Sequence, residues 1–441
     1  MRSQIISSSL FLFCFAVIYI VIWNKIPVKW VRYQAADVPL SQVKLFWRCN
    51  EEIKRKLITV SGTPSLNLSS VKTTNRVPAH HVTLGTSKIK PQTEITPIPI
   101  LYKDKFTKLP KWDFEDVYMQ SSETQRPVCS KSLQKSKKQM FQHAAMWNIQ
   151  LWLHRGHLNM SEWNRLAHFN NPFGFMEFNH TDIKKSVDLI PKPKHYQLLP
   201  VPNSSVDGCI RCAVVGTSGI LNGSRMGKEI DSHDYVFRVN GAVTKGFEED
   251  VGNKTSVYVH TSFALTESLL VLGKYGFKSI PQDEGIKYVM IPEGQRDFEW
   301  IEGILKKMRM TTGYYKGYRP RTYYSNRFQE DKFYVLHPDF LRYIRNRFLP
   351  SETLNDSLWH FYRPTNGAFT LFLALHTCDI VDVYGFITAD HKKYSNYYVE
   401  RSTKTPVIFY VNHDYDLEIE TWKKLHDAGI INLYQRHEDL N

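Results

Sequence analysis

No internal repeat of useful length runs through the 441 residues, and neither a GxGxxG fingerprint nor a GK[ST] phosphate loop occurs. A P-loop is thereby excluded, and dinucleotide binding lacks its usual signature. Cysteine is scarce, six in all, and Cys209-x-x-Cys212 has no partnering Cys/His pair at ligand spacing. A zinc or redox half-site is therefore unsupported. Acidic residues are in deficit, 43 against 57 basic, for a net charge of +14. That surplus favours anionic partners: nucleic acid, anionic lipid, or acidic small molecules such as nucleotides and carboxylated sugars. With 42% hydrophobic and 23% charged residues, composition is that of an ordinary globular protein and excludes both wholesale disorder and a fibrous repeat.

Long apolar runs are also rare, and the exception stands at the N-terminus. Residues 5–23, IISSSLFLFCFAVIYIVIW, carry no charge and have about the ~20 residues that span a bilayer core. Trp23 and Trp30 suit interfacial anchors, and no small-x-small cleavage site follows. Arg2 lies on one side and Lys25, Lys29 and Arg32 on the other, so charge counting does not favour a lumenal C-terminus. Seven Asn-x-Ser/Thr sequons do: Asn67, Asn159, Asn179, Asn203, Asn222, Asn253 and Asn355. Cys14 lies inside the span and Cys49 just beyond it, leaving Cys129, Cys209, Cys212 and Cys378, an even set suited to two disulfides in an oxidising compartment. The expectation is a type II membrane protein with its bulk in the secretory lumen, where nucleic acid is not a partner.

From about 56 to 110 the chain is rich in Thr, Ser, Pro and Lys without apolar periodicity, as a flexible spacer would be. Trp147, Leu151 and His154 have helical spacing and read as core. Beyond Cys209 short apolar runs at 212–216, 234–239, 256–260, 287–291, 379–386 and 406–411 read as strands. Helical stretches such as FEWIEGILKKM, GAFTLFLALHTC and LEIETWKKLHDAG fall between them. Alternation of this kind predicts an α/β fold, a mostly parallel Rossmann-like sheet flanked by helices, with ligands bound in loops at the carboxyl ends of strands. The loop after the first strand offers Gly216, Thr217, Ser218 and Gly219, whose amides and hydroxyls suit a phosphate or ribose.

CAVVGTSGILNGSRMGKEIDSHDYVFRVNGAVTKGFEEDVGNKTSVYV (212–259) resembles the large sialyl motif of eukaryotic sialyltransferases, glycosyltransferase family 29. RPTNGAFTLFLALHTCDIVDVYGF (363–386) resembles their small motif, and NHDYDLE (412–418) the very small motif, His-x4-Glu. The resemblance covers roughly 125–441. The wording of ILNGSRMGKEIDSHDYVFR and WKKLHDAGIINLYQR is most similar to the members that sialylate N-acetylgalactosamine on O-glycoproteins through its 6-hydroxyl.

The resemblance implies a GT-A-like sialyltransferase variant of the sheet, with CMP-sialic acid as donor and O-glycosylated glycoproteins as acceptors. It implies an organisation of cytoplasmic tail (1–4), signal-anchor (5–23), stem (24–124) and lumenal catalytic domain (125–441), anchored in the Golgi membrane by one helix. Asn240 and the 217–219 loop would hold the CMP part of the donor, and Thr365, Asn366 and Gly367 would open the small-motif helix toward its anion. The family pattern implies a Cys212–Cys378 bridge, with Cys129–Cys209 the natural second pair. His413 is the candidate general base, since imidazole titrates near the working pH; Glu418 is assigned to positioning. Asp414 and Asp416 spell Asp-x-Asp, but a monophosphate leaving group generates one dispersed anion, so no metal cofactor is expected.

The family usually carries His-Tyr-Tyr-acid between the last two motifs. Here Ser395-Asn396-Tyr397-Tyr398-Val399-Glu400 stands there, with Tyr397 the closest match by position, able to donate a hydrogen bond but not positive charge. A sialyltransferase of another linkage (2,3 to galactose), or a weak Golgi glycan-binding pseudoenzyme, is the alternative reading. A homodimer through Cys49 stays open.

Overall fold

Seven parallel strands form one sheet in the order β5-β4-β3-β2-β1-β6-β7. They are β1 (Arg211–Val215), β2 (Tyr235–Val239), β3 (Val257–His260), β4 (Lys287–Met290), β5 (Phe333–Val335), β6 (Ile380–Tyr384) and β7 (Asn432–Leu433). The structure, a computed structural model, describes residues 96–123, 128–136, 138–195, 197–324 and 328–436. The expected tail and signal-anchor, Asn67 and most of the expected stem lie outside these residues. No helix among the described residues is long and apolar enough to cross a membrane.

Short β-branched runs such as RCAVV and VYVH are buried nearly throughout, as a sheet covered on both faces requires. The helices that matter for the site are α1 (Ser262–Leu272), α2 (Gln295–Leu305), α3 (Pro338–Arg347), α4 (Asn366–Thr377) and α5 (Tyr415–Asp427). Helix α4 is apolar on nearly every side, with Ala368 through Leu375 all buried, because it lies across β1, β2 and β6. Helix α5 buries a single stripe, Glu418, Thr421, Trp422 and Leu425, at the i, i+3, i+4, i+7 spacing of an amphipathic helix. Disulfides Cys129–Cys209 and Cys212–Cys378 are formed, the second tying β1 to the end of α4.

Four elements differ from the sequence reading. The run 406–411 is not a strand but an exposed loop, with Val411 70% exposed. Its neighbourhood is closed by local bonds instead, Asn396 N–H to Thr405 O and Ile408 N–H to the Asn396 side chain. Strands β5 and β7, three and two residues long, are too brief to show a pattern. The stretch around Trp147, Leu151 and His154 is extended rather than helical, although Leu151 and His154 are buried as expected.

The folded unit also begins well ahead of residue 125. Leu109, Asp113 and Tyr118 are buried. Arg342 donates to the carbonyls of Asp113 and Glu115, and Arg345 forms a buried ion pair with Asp113. The strap from 97 to 120 joins a second apolar cluster with Met176, Leu354, Trp359 and Tyr362, whose last member directly precedes Arg363.

Candidate active site

The strand order reverses between β1 and β6, because the chain steps outward from β1 to β5 and returns to β1's other side. Ligands in open α/β sheets bind at such a switch point, outside the carboxyl ends of the strands. Here that place is occupied by the 216–219 loop after β1 and the 385–398 segment after β6. The Gly216, Ser218 and Gly219 amides donate to the carbonyls of Tyr384, Gly385 and Ser395 at 2.8, 3.0 and 3.1 Å, and Tyr398 N–H donates to Thr217 O at 3.1 Å. A Cβ at Gly216 would collide with the Gly385 carbonyl, and one at Gly219 with that of Ser395. The glycines thus serve backbone-to-backbone approach. The sequence reading offered the loop's amides to a ligand, but these three are spent within the protein. The half-buried Thr217 hydroxyl, and that of Ser218, which already accepts from Ile220 N–H but can still donate, are what the loop can present.

Asn240, at the end of β2, has φ of 54°, a left-handed conformation uncommon outside glycine and frequent at functional sites. Its carbonyl accepts from Tyr258 Oη at 2.6 Å, and its Oδ1 accepts from Asn366 Nδ2 at 2.9 Å. Asn366 in turn accepts from Arg363 Nη1 at 3.3 Å. The α4 N-cap, Thr365, accepts from Ala368 N–H, while its own amide and hydroxyl each donate to a Glu418 carboxylate oxygen at 2.7 Å. Burial raises the Glu418 pKa to about 7. Gly367 follows, half-buried, in the first turn of α4.

His413 is half-buried and docks on the same strand of backbone: its Nδ1 lies 2.8 Å from Arg363 O, and Arg363 N–H donates to Asn412 O at 3.0 Å. A carbonyl can only accept, so Nδ1 carries the proton and Nε2 keeps its lone pair. Burial, with the Arg363 guanidinium beside it, lowers the imidazole pKa to about 3. Tyr415 stands edge-on at 5.6 Å. Arg363 also forms an ion pair with Glu293, in the loop after β4. One bonded network therefore joins Asn240, Asn366, Arg363, Glu293 and His413, and Thr365–Glu418 fastens it to α5.

Residues 152–430 match the family model for glycosyltransferase family 29 (sialyltransferase). The chain belongs to that family. It is 45% identical to alpha-N-acetylgalactosaminide alpha-2,6-sialyltransferase 1 of Gallus gallus over 80% of its own length, and spans 66% of that relative. It is also 45% identical to alpha-N-acetylgalactosaminide alpha-2,6-sialyltransferase 2 of Mus musculus, over 65% of this chain and 76% of the relative. A crystal structure of a mammalian sialyltransferase aligns with a TM-score of 0.51 at 25% identity, covering 71% of this chain and all of that one.

Within this sialyltransferase domain, Tyr397 is half-buried; its amide donates to Glu400 Oε2 at 3.0 Å, and burial, with Tyr410 and Glu400 near, raises its phenol pKa. Asp414 is committed to structure: Oδ1 accepts from Leu417 N–H and Oδ2 from Ser351 Oγ. Among the described residues no group of three or more His, Cys, Asp or Glu side chains could hold a metal. The sequons at Asn159, Asn179, Asn203, Asn253 and Asn355 are exposed, whereas Asn222 is half-buried, its carbonyl bonded to Arg436. Sequence reading missed Arg363 and Glu293. Arg363 opens the small motif, and Glu293 follows a parallel strand at its carboxyl end, the position that could have singled it out.

Proposed function

We propose that the chain transfers sialic acid from CMP-sialic acid to the 6-hydroxyl of N-acetylgalactosamine on Ser/Thr-linked glycans. The observation that carries this reading is the orientation of His413: Nδ1 is fixed on the Arg363 carbonyl, so Nε2 is the free basic atom beside the network that holds Asn240 and the α4 N-terminus. The reaction is a single displacement with inversion. The acceptor O6 forms its bond to the sialyl anomeric carbon as the bond from that carbon to the phosphate oxygen breaks. The O6 proton passes to His413 Nε2, and the electron pair of the broken bond leaves with CMP. Thr217, Ser218, Asn240 and the start of α4 hold the departing CMP, and Tyr397 donates a hydrogen bond in the place of the usual histidine. Anionic groups of the bound donor raise the basicity of a half-buried imidazole and so prepare His413 for proton transfer. No metal takes part in this scheme. The relatives named above act, by their names, on alpha-N-acetylgalactosaminides through a 2,6 linkage, which supports the acceptor and the bond assigned here. We place the domain in the Golgi lumen behind an N-terminal anchor, with exposed sequons glycosylated.

The test is incubation of the solubilised full-length chain with CMP-sialic acid and defined O-glycopeptides, with mass spectrometry and linkage analysis of the product. A 2,6-linked product on N-acetylgalactosamine is expected; a 2,3 linkage to galactose, or no CMP release, overturns the reading. His413→Ala is expected to abolish transfer while CMP still binds in calorimetry, and unaltered turnover refutes the role of His413.

A further inference from the structure

The nucleotide-side loops occupy the β1/β6 half of the sheet's carboxyl edge, which leaves the loops after β3 and β4 on the other half. Those loops are welded together by Asp297, whose Oδ1 accepts from the Ser262 amide and hydroxyl at 2.8 and 2.6 Å and whose Oδ2 accepts from Gly294 N–H. On this floor the Arg296 guanidinium lies 4.6 Å from the Phe263 ring centroid and 5.7 Å from that of Tyr314. Arg296 is also paired with Glu293 at 3.0 Å, and Glu293 with Arg363, whose carbonyl fixes His413. The aromatic surface continues outward. Tyr314 packs on the buried Tyr315 at 4.8 Å, Tyr315 on Tyr318 at 5.5 Å, and Tyr318 stacks on Tyr323 at 6.1 Å and 15°.

Tyr314 and Tyr318 are 51% and 41% exposed, yet their loop is closed by Met310 N–H to Tyr318 O and Gly317 N–H to Met310 O. Exposed aromatic rings held on a rigid support lose little entropy on binding and are typical anchors for a ligand. The strip sets several rings in succession, its cation already has a carboxylate partner in Glu293, which it shares with Arg363, and it starts beside the network that carries His413. Ser/Thr- and Pro-rich polypeptide, the kind that bears O-glycans, favours an extended polyproline II form, and aromatic-lined surfaces recognise that form.

We propose that Phe263, Arg296, Tyr314, Tyr318 and Tyr323 bind the extended Ser/Thr/Pro polypeptide that carries the acceptor sugar. This site rests on the transferase reading above and makes the polypeptide, beyond the sugar, a recognised part of the substrate.

The test compares two acceptors with the full-length chain: a Pro-rich peptide bearing one N-acetylgalactosamine, and the methyl glycoside of the same sugar. In the double variant Tyr314→Ala/Tyr318→Ala, KM for the glycopeptide is expected to rise about tenfold. KM for the donor and kcat/KM for the methyl glycoside are expected to change less than about twofold. Tyr314→Phe, which keeps the ring, is expected to retain the wild-type glycopeptide KM. An unchanged glycopeptide KM overturns the proposal. An equal loss with both acceptors also overturns it, by placing the rings against the sugar. If the wild-type chain transfers to neither acceptor, it is the transferase reading that fails instead.

Discussion

His413 and Glu418 sit five residues apart and take opposite parts for reasons of local geometry. The imidazole is pinned through Nδ1 and keeps its Nε2 lone pair, whereas both Glu418 oxygens are consumed by Thr365. Glu418→Gln replaces a two-oxygen acceptor by one oxygen and one donor, leaving a Thr365 donor opposed. Unfolding free energy, measured in urea, is expected to fall by about 1–3 kcal/mol, the cost of an unsatisfied buried polar group. Turnover is expected to fall with it, because Thr365 caps the helix that faces the donor. For His413, burial and the Arg363 charge hold the neutral form down to about pH 3 in the unliganded protein. The acid limb of kcat/KM, which reports the free enzyme, is therefore expected well below 6.5. In Arg363→Gln, which removes the neighbouring positive charge, that limb is expected to move upward; a limb that stays in place would show that Arg363 does not act on the imidazole.

At the scale of elements, the strap from 97 to 120 is part of the domain rather than spacer. Removing it strips Asp113 from Arg345 and three carbonyls from Arg342, leaving the buried Arg345 with the neutral Asn346 side chain and Arg342 with a long contact to Asp339. Breaking a buried pair by deleting one side costs about 3–5 kcal/mol. A secreted fragment 125–441 is expected to melt at least several degrees below fragment 91–441, or to be insoluble; equal thermal transitions would show that the strap is dispensable. The Cys212–Cys378 bridge works on the same scale. It closes a 166-residue separation and fastens β1 to α4, the two elements that flank the candidate donor site. Cys378→Ala is expected to cost about 2–5 kcal/mol, read by chemical denaturation under oxidising conditions.

For the molecule as a whole, acid is the expected weakness. His260 and His337 are fully buried, and burial lowers each to about pH 4 from an ordinary value near 6.5. The folded protein keeps both neutral, while the unfolded chain takes up their protons below 6.5. Their stabilising contribution is thus complete above pH 6.5 and is lost as pH falls from 6.5 toward 4, on the order of 3 kcal/mol for each. His154 and His157, ring centroids 3.6 Å apart and lowered to about 4 and 3, act in the same direction. Melting temperature measured from pH 7.5 to 4.5 is expected to hold above 6.5 and drop below it; a flat profile would refute the account.

The amino-acid sequence by itself determined the strands β1 to β4 and β6, the helix class of 366–377 and 415–427, and the segments that meet at the site. These depend on local apolar pattern and on motif wording, both carried by neighbouring residues. The disulfide partners could be expected from resemblance alone, since spacing does not specify pairing. Tertiary structure alone decided that 406–411 is a loop, that 97–120 belongs to the domain, and that the glycine-loop amides at 216, 218 and 219 face protein carbonyls. It also decided that Arg363 and Glu293 connect Asn240 with His413. Apart from the 406–411 loop, which is closed by local bonds, these depend on which groups arrive from 50 to 232 residues away to satisfy a hydrogen bond or a charge. No local period records such an arrival, because it is settled only when the sheet closes and the backbone polar groups find their partners.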